Sequence, residues 1–141
     1  MITDKPINVA AAVLIDNNQV LLARRRGGYL DNLWEFPGGK LEKGESAEAA
    51  AARELKEELD INVIPENTVL VLEHNYPDKT VRLHFVKCHL SQEDNASREK
   101  LQNNSETCWF IPQNMPLQEL CPADRSAATE IPWKLLVEDK K

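Results

Sequence analysis

The most constraining stretch of this chain begins at Gly38-Gly39-Lys40 and passes through Gly44-Glu45 into an alanine-rich run. It ends in Arg53-Glu54-Leu55-Lys56-Glu57-Glu58-Leu59. The glycines allow a tight turn, and strong helix formers with no internal Gly or Pro then predict a helix. On that helix Glu54, Glu57 and Glu58 stand at i, i+3 and i+4, so three carboxylates share one face. Ala52, Leu55 and Leu59 fall on another face, suited to a core. Like charges this close oppose one another by about 3 kcal/mol per pair at an effective dielectric near 20. A helix serving stability alone would alternate signs there. Two readings follow: a solvated acidic face, or oxygen ligands gathered for Mg²⁺, which takes carboxylates, waters and substrate phosphates.

The spacing separates the two. From Gly39 the chain reads G-x5-E-x7-R-E-L-x-E-E, with Glu45, Arg53, Glu54, Glu57 and Glu58 all in place. This resembles the Nudix box, the signature of the Nudix hydrolase family. One position departs: the glycine found near the end of that box is Asp60 here, followed by the apolar Ile61. Asp tolerates positive φ, so Asp60 is expected to take the left-handed helix cap. Shorter pieces extend the resemblance to the family's MutT-like branch from about Asn8 to Lys134. They are Leu21-Leu22-Ala23-Arg24-Arg25, Trp34-Glu35-Phe36-Pro37-Gly38-Gly39-Lys40, Tyr76-Pro77-Asp78 and Cys121-Pro122-Ala123-Asp124.

The resemblance implies an α+β Nudix fold, a mixed sheet sandwiched between helices, as a single domain over residues 1–141. It implies a nucleoside triphosphate pyrophosphohydrolase that releases the monophosphate and pyrophosphate, with 8-oxo-dGTP as the expected substrate in nucleotide-pool sanitation. A CTP or modified-dCTP pyrophosphohydrolase is the alternative, and a non-catalytic nucleotide-sensing module a further one. Mg²⁺, with Mn²⁺ as a substitute, is expected on Glu54, Glu57, Glu58 and the Gly39 carbonyl. Glu54 is the expected base, and Arg53 pairs with Glu45 to orient the carboxylates. Arg25 is expected near the phosphates, and Tyr76 and Asp124 at the base. Bland alternatives stand beside these: Tyr76 as a half-buried strand aromatic, Phe36 as a core aromatic rather than a substrate contact, Asp124 as a helix N-cap. The branch often carries another metal-binding glutamate six residues before the tryptophan of its last strand. Here Trp109 fits that tryptophan and the position holds Asn103, with Glu99 and Glu106 the nearest carboxylates.

Composition narrows the partners. The chain has 141 residues, 42% hydrophobic and 28% charged, the make-up of one folded domain with a sizeable core. Its net charge of −6 offers no broad basic surface for a nucleic-acid polymer. No long apolar run or leader-like amino terminus is present, so a cytoplasmic protein without a membrane span is expected, as monomer or homodimer. Cys88, Cys108 and Cys121 are widely spaced and read as free thiols.

Along the chain, Asn8–Ile15 and Gln19–Ala23 flank the turn Asp16-Asn17-Asn18 and predict a hairpin whose first strand is buried on both faces. Arg24-Arg25-Arg26 then meets the flexible corner Gly27-Gly28, where Arg24 and Arg26 also suit a plain surface patch. Leu33 to Gly39 reads as a short strand, Ser46 as the N-cap of the acidic helix, and Pro65-Glu66-Asn67 as a break before the next strand. Thr68–Tyr76 and Lys79–Leu90 predict a second hairpin around Pro77-Asp78. Ser91–Asn104 reads as loop, Cys108–Ile111 as a last strand, and 125–137 as a final helix capped by Asp124 and interrupted at Pro132.

Overall fold

A computed structural model describes residues 5–93 and 96–137; the ends of the expected domain and two residues of the expected loop 91–104 lie outside them. The first strand, β1 (Ile7–Asp16), organises the sheet. It is followed by β2 (Gln19–Arg24), β3 (Trp34–Glu35), β4 (Gly38–Lys40), α1 (Ala47–Leu59), β5 (Val63–Tyr76) and β6 (Lys79–Leu90). The chain closes with α2 (Ser97–Gln102), β7 (Thr107–Phe110), α3 (Pro122–Glu130) and α4 (Trp133–Leu136). The main sheet runs β3-β2-β1-β6-β5, with β4 added to β1 and β7 to β2.

Strand β1 changes partners along one edge. On the other edge it pairs in parallel with β6, from Ile7↔Val81 to Leu14↔Cys88. On the changing edge it first meets β4 (Val9↔Lys40 to Ala11↔Gly38), then β2 at the expected hairpin (Ile15↔Val20, Asp16↔Gln19). The sheet therefore splits where β2 leaves β1, and Phe36-Pro37 crosses the split, with the Pro37 carbonyl accepting from the Ala12 N–H at 2.7 Å. A strand with β-sheet neighbours and cores on both faces must be apolar throughout, and Ala10 to Leu14 are all buried.

Two cores result, one on each face. Ala10, Ala12 and Leu14 pack with Ala47, Ala50, Ala51 and Leu55 of α1. Ala11 and Val13 pack with Phe36, Phe85 and Ala123, Ala127 and Ala128 of α3. The period-two alternation of β1 thus divides its side chains between two helices, giving the α+β sandwich expected from the sequence. The expected caps of α1 are also present. The Ser46 hydroxyl accepts from the Ala49 N–H at 3.1 Å, and Asp60 is left-handed at φ 55°, ψ 44°.

Three expectations are corrected. Strand β5 starts at Val63 and runs through Pro65 rather than after it; it is the edge strand, and register shifts at Pro65/Asn67 absorb the missing N–H. The stretch expected to be loop contains α2. Ser97 and Leu101, at i and i+4, are buried, while Arg98 ties to Asp16 at 2.9 Å and lies over Trp109 at 4.1 Å. The last helix begins at Pro122, so Asp124 lies inside its first turn and is not the N-cap. It ends at Glu130, before Pro132.

Among the glycines, Gly38 lies closest to its neighbour, packed against β1. A Cβ there would lie 1.9 Å from the Ala10 carbonyl oxygen, backbone that cannot swing aside. Gly38→Ala is expected to cost about 3 kcal/mol, the upper end of ordinary overpacking, read as a lowered denaturant midpoint with unchanged slope. A midpoint within error of the parent would show that β1 and β4 are less closely held.

Candidate active site

The acidic face of α1 is gathered around one cation, Arg53. Its guanidinium grips Glu45 through two bonds, Nε to Oε2 at 2.8 Å and Nη2 to Oε1 at 2.9 Å. Nη1 reaches Glu54 Oε2 at 3.0 Å and Glu57 Oε1 at 3.1 Å, and Nη2 also donates to the Lys40 carbonyl at 3.0 Å. A planar fork with five donors can hold several carboxylates at once in a fixed bidentate geometry that a lysine's three rotating donors do not offer. The contact with Arg53 holds the Glu45 carboxyl down to about 2. Glu45 Oε1 in turn accepts from the Glu42 N–H at 2.9 Å, closing the turn before α1.

Glu54 is set against the backbone at Gly39, where a Cβ would fall 2.4 Å from the Glu54 carboxyl carbon. Only glycine leaves this carboxylate its place. Glu58 takes no part in the Arg53 cluster. Its pKa is raised to about 7, by desolvation first and then by the neighbouring Glu54 and Glu35. The Glu58 side chain still meets solvent, so the crowding of carboxylates is the component a cation would relieve. Among the described residues, the group of three ligating side chains drawn within 4.8 Å of one another is Glu35, Cys121 and Asp124; Glu54, Glu57 and Glu58 do not converge as a triad.

Glu35 and Asp124 of this group line a cavity of about 260 Å³ that Gly39 also borders. Arg25, Glu35, Phe36, Gly39, Tyr76 and Asp124 line it, so the cavity brings together the five expected substrate or metal residues outside α1. Arg25, at the end of β2, pairs with Glu35 of β3 at 3.2 Å. The ring of Phe36 belongs to the core, edge-on to Phe85 at 5.6 Å and stacked near Trp133 at 6.3 Å. Its backbone N–H is the polar part, donating to Asp124 Oδ1 at 2.9 Å. Tyr76 leans against His74 with ring centroids 4.4 Å apart, and its hydroxyl is pushed up to about 12, by burial first and then by Asp124.

Asp124 is 4% exposed, the most deeply buried carboxylate described. Burial, then the charge of Glu35, raises its pKa to about 8, against the opposing pull of the Phe36 N–H and of Arg25. Glu35 is raised as well, because burial outweighs its attraction to Arg25. Glu35 was not singled out from the sequence, although a lone charge in a strand otherwise reading Leu-Trp-x-Phe was a usable signal. Asn103 ends α2, donating its N–H to the Glu99 carbonyl at 3.0 Å, and the Glu106 carboxylate is held by Arg26.

A family model described as NUDIX domain matches residues 5–131. The chain is 39% identical over 87 residues to the 8-oxo-dGTP diphosphatase of Proteus vulgaris, a match covering 60% of this chain and 78% of that protein. It is 31% identical over 121 residues to the CTP pyrophosphohydrolase of Escherichia coli (strain K12), covering 85% of this chain and 87% of that one. Among solved structures, the MutT NUDIX hydrolase from Burkholderia pseudomallei superposes with a TM-score of 0.73 at 25% identity, covering 89% of this chain and 98% of that one. Among the described residues no helix is long and apolar enough to cross a membrane.

The burial of Asp124 has a consequence for stability. Its folded pKa of about 8 lies above the roughly 3.9 of an unfolded Asp, so between these values the unfolded chain loses a proton that the folded chain keeps. Stability contributed at this site therefore falls as pH rises through that window, by up to about 1.4 kcal/mol per pH unit. Asp124→Asn keeps an acceptor for Phe36 and removes the titration. The melting temperature of the variant relative to the parent should rise between pH 5 and pH 8. A constant difference would mean that the folded protein holds Asp124 ionised.

Proposed function

This chain belongs to the NUDIX domain family and is a Nudix hydrolase, and on that premise we propose that it cleaves nucleoside triphosphates to the monophosphate and pyrophosphate, 8-oxo-dGTP foremost. One observation carries the reading. Gly39 is shared by the cavity that ends on Asp124 and by the carboxylate cluster of α1, so a base in the first places its phosphates at the second. A cavity near the lower end of the range for small-molecule sites, roughly 300–1,000 Å³, suits a base and sugar with the triphosphate outside.

Glu54, Glu57, Glu58 and the Gly39 carbonyl would hold Mg²⁺ or Mn²⁺. The donor set fits: it is all oxygen, and Gly39 leaves Glu54 the space that a Cβ would fill. The cation, when bound, neutralises charge on the phosphate oxygens. The protein's own groups do the rest. Arg53 engages Glu54 Oε2 and so fixes the carboxylate that would take the proton of the attacking water. Arg53, clamped by Glu45, keeps that carboxylate from turning. Arg25 supplies positive charge at the cavity wall, where the phosphates leave it. All five charged residues of the box are present, which favours a catalyst over a nucleotide sensor.

Glu54→Gln is expected to keep the fold and lower kcat by at least about 10²-fold. In the parent, Mg²⁺ at about 100 times its dissociation constant should add about 2.7 kcal/mol of stability, and Glu54→Gln should lose much of that gain. A parent melting curve indifferent to millimolar Mg²⁺ would remove the metal site. Near-parental turnover in the variant would remove Glu54 as the base.

Asp124 carries the choice of base. A protonated carboxyl both donates and accepts, matching O6 and the N7 hydrogen of 8-oxoguanine; an ionised one only accepts, matching the exocyclic amine of cytosine. The wide coverage of the CTP pyrophosphohydrolase match favours cytidine nucleotides as the second reading. With the Asp124 pKa near 8, the protonated form falls about tenfold and the ionised form rises about tenfold from pH 7 to pH 9, so the ratio of kcat/KM for 8-oxo-dGTP over CTP should fall by more than about tenfold and at most about 100-fold. The same ratio should stay flat in Asp124→Asn. A flat ratio in the parent would take Asp124 out of base selection.

A further inference from the structure

The loop between β2 and β3 is built more rigidly than a connection needs to be. The Arg25 N–H donates to the Leu33 carbonyl at 2.8 Å, and the Asn32 N–H returns to the Arg25 carbonyl at 2.7 Å. Across the loop, the Gly27 N–H donates to Asp31 Oδ1 at 2.6 Å, and Arg26 reaches Asn32 Oδ1 at 3.0 Å. Gly27 and Gly28 adopt φ of 91° and 73° with open space around them, so they are there for backbone conformation and not for lack of room. Leu30 is buried, pinning the tip to the body of the protein. Between these anchors stands Tyr29, 72% exposed and yet part of the cavity lining.

A braced loop presenting one large aromatic to an open cavity gains nothing in folding from that ring. Tyrosine offers wide, flat contact area at low entropic cost, and every base has a face to stack on. Tyr76 lines the same cavity, and Tyr29 is near enough to add to the rise of the Tyr76 hydroxyl, after burial, Asp124 and Cys121. We propose that Tyr29 is a binding residue at the mouth of the cavity, stacking on the nucleobase whose edge Asp124 reads, and that this contact supplies affinity without choosing among bases. The inference rests on the nucleotide reading above. It divides the site's labour: hydrogen bonding at the floor selects the base, and the ring at the mouth retains whatever base enters.

Stacking on an aromatic side chain typically changes affinity by about tenfold when the ring is removed. Tyr29→Ala should raise KM for 8-oxo-dGTP, dGTP and CTP alike by about tenfold, with kcat and melting temperature unchanged, the pattern of lost uniform binding. Tyr29→Trp should restore the parental KM. An unchanged KM in Tyr29→Ala overturns the inference, and so does a loss that Trp does not restore or that affects one nucleotide alone. Failure of the unsubstituted protein to hydrolyse any of the three would overturn the nucleotide reading together with this inference, and is recognised before any substitution is made.

Discussion

The site depends on one guanidinium holding mutually repelling carboxylates in place. Without Arg53, the glutamates of α1 would separate as far as their rotamers allow. With it, Glu54 and Glu57 are tied from the helix side and Glu45 from the preceding turn. The bond from Arg53 to the Lys40 carbonyl adds β4 to the same knot. Helix, turn and strand thus meet at a single planar cation, and the orientation of Glu54 follows from the register of β4 against β1. Because several hydrogen bonds act together, their loss would be felt as a change of geometry more than as a loss of stability.

The second constraint is the split in the sheet. β1 cannot pair with β2 along its whole length because β4 occupies the first part of that edge. The opening admits Phe36 and Pro37, and places the Phe36 N–H under the first turn of α3. A carboxyl entering there without a donor would be costly to bury; Asp124 meets that N–H and remains largely protonated near neutrality. The cavity floor is therefore a hydrogen-bonding group whose donor capacity changes within the pH range of ordinary experiments. The proposed choice of base and the effect on stability would both follow from that one proton.

Much of this was legible along the chain. The carboxylate face of α1 lies within one helix, and a 3.6-residue period places its members without reference to any other part of the fold. The caps of α1, the hairpins around Asn17-Asn18 and Pro77-Asp78, and the stop at Pro132 are equally local, each set by one or two residues with narrow backbone preferences. The apolar run of β1 announced a strand covered on both faces. By contrast, α2 has a weak local signal and forms because Ser97 and Leu101 find a core and Arg98 finds Asp16 and Trp109. Pro65 continues a strand because β5 lies at an edge, a fact of topology that no local pattern contains.

The sequence by itself determined the acidic helix, its glycine approach and the Arg53–Glu45 spacing, because these are short-range patterns with rigid geometric consequences. Only the tertiary structure decided the meeting of residues from β2, β3, β5 and α3 around one cavity. It took Asp124 from the cap position that was one of its two expected roles into a buried place in the first turn of α3, joined Glu35 to Arg25, and set Tyr29 in the cavity lining. Long-range burial and the charge of distant neighbours set protonation and contact at these positions, and neither is a property of the residues next to them in sequence.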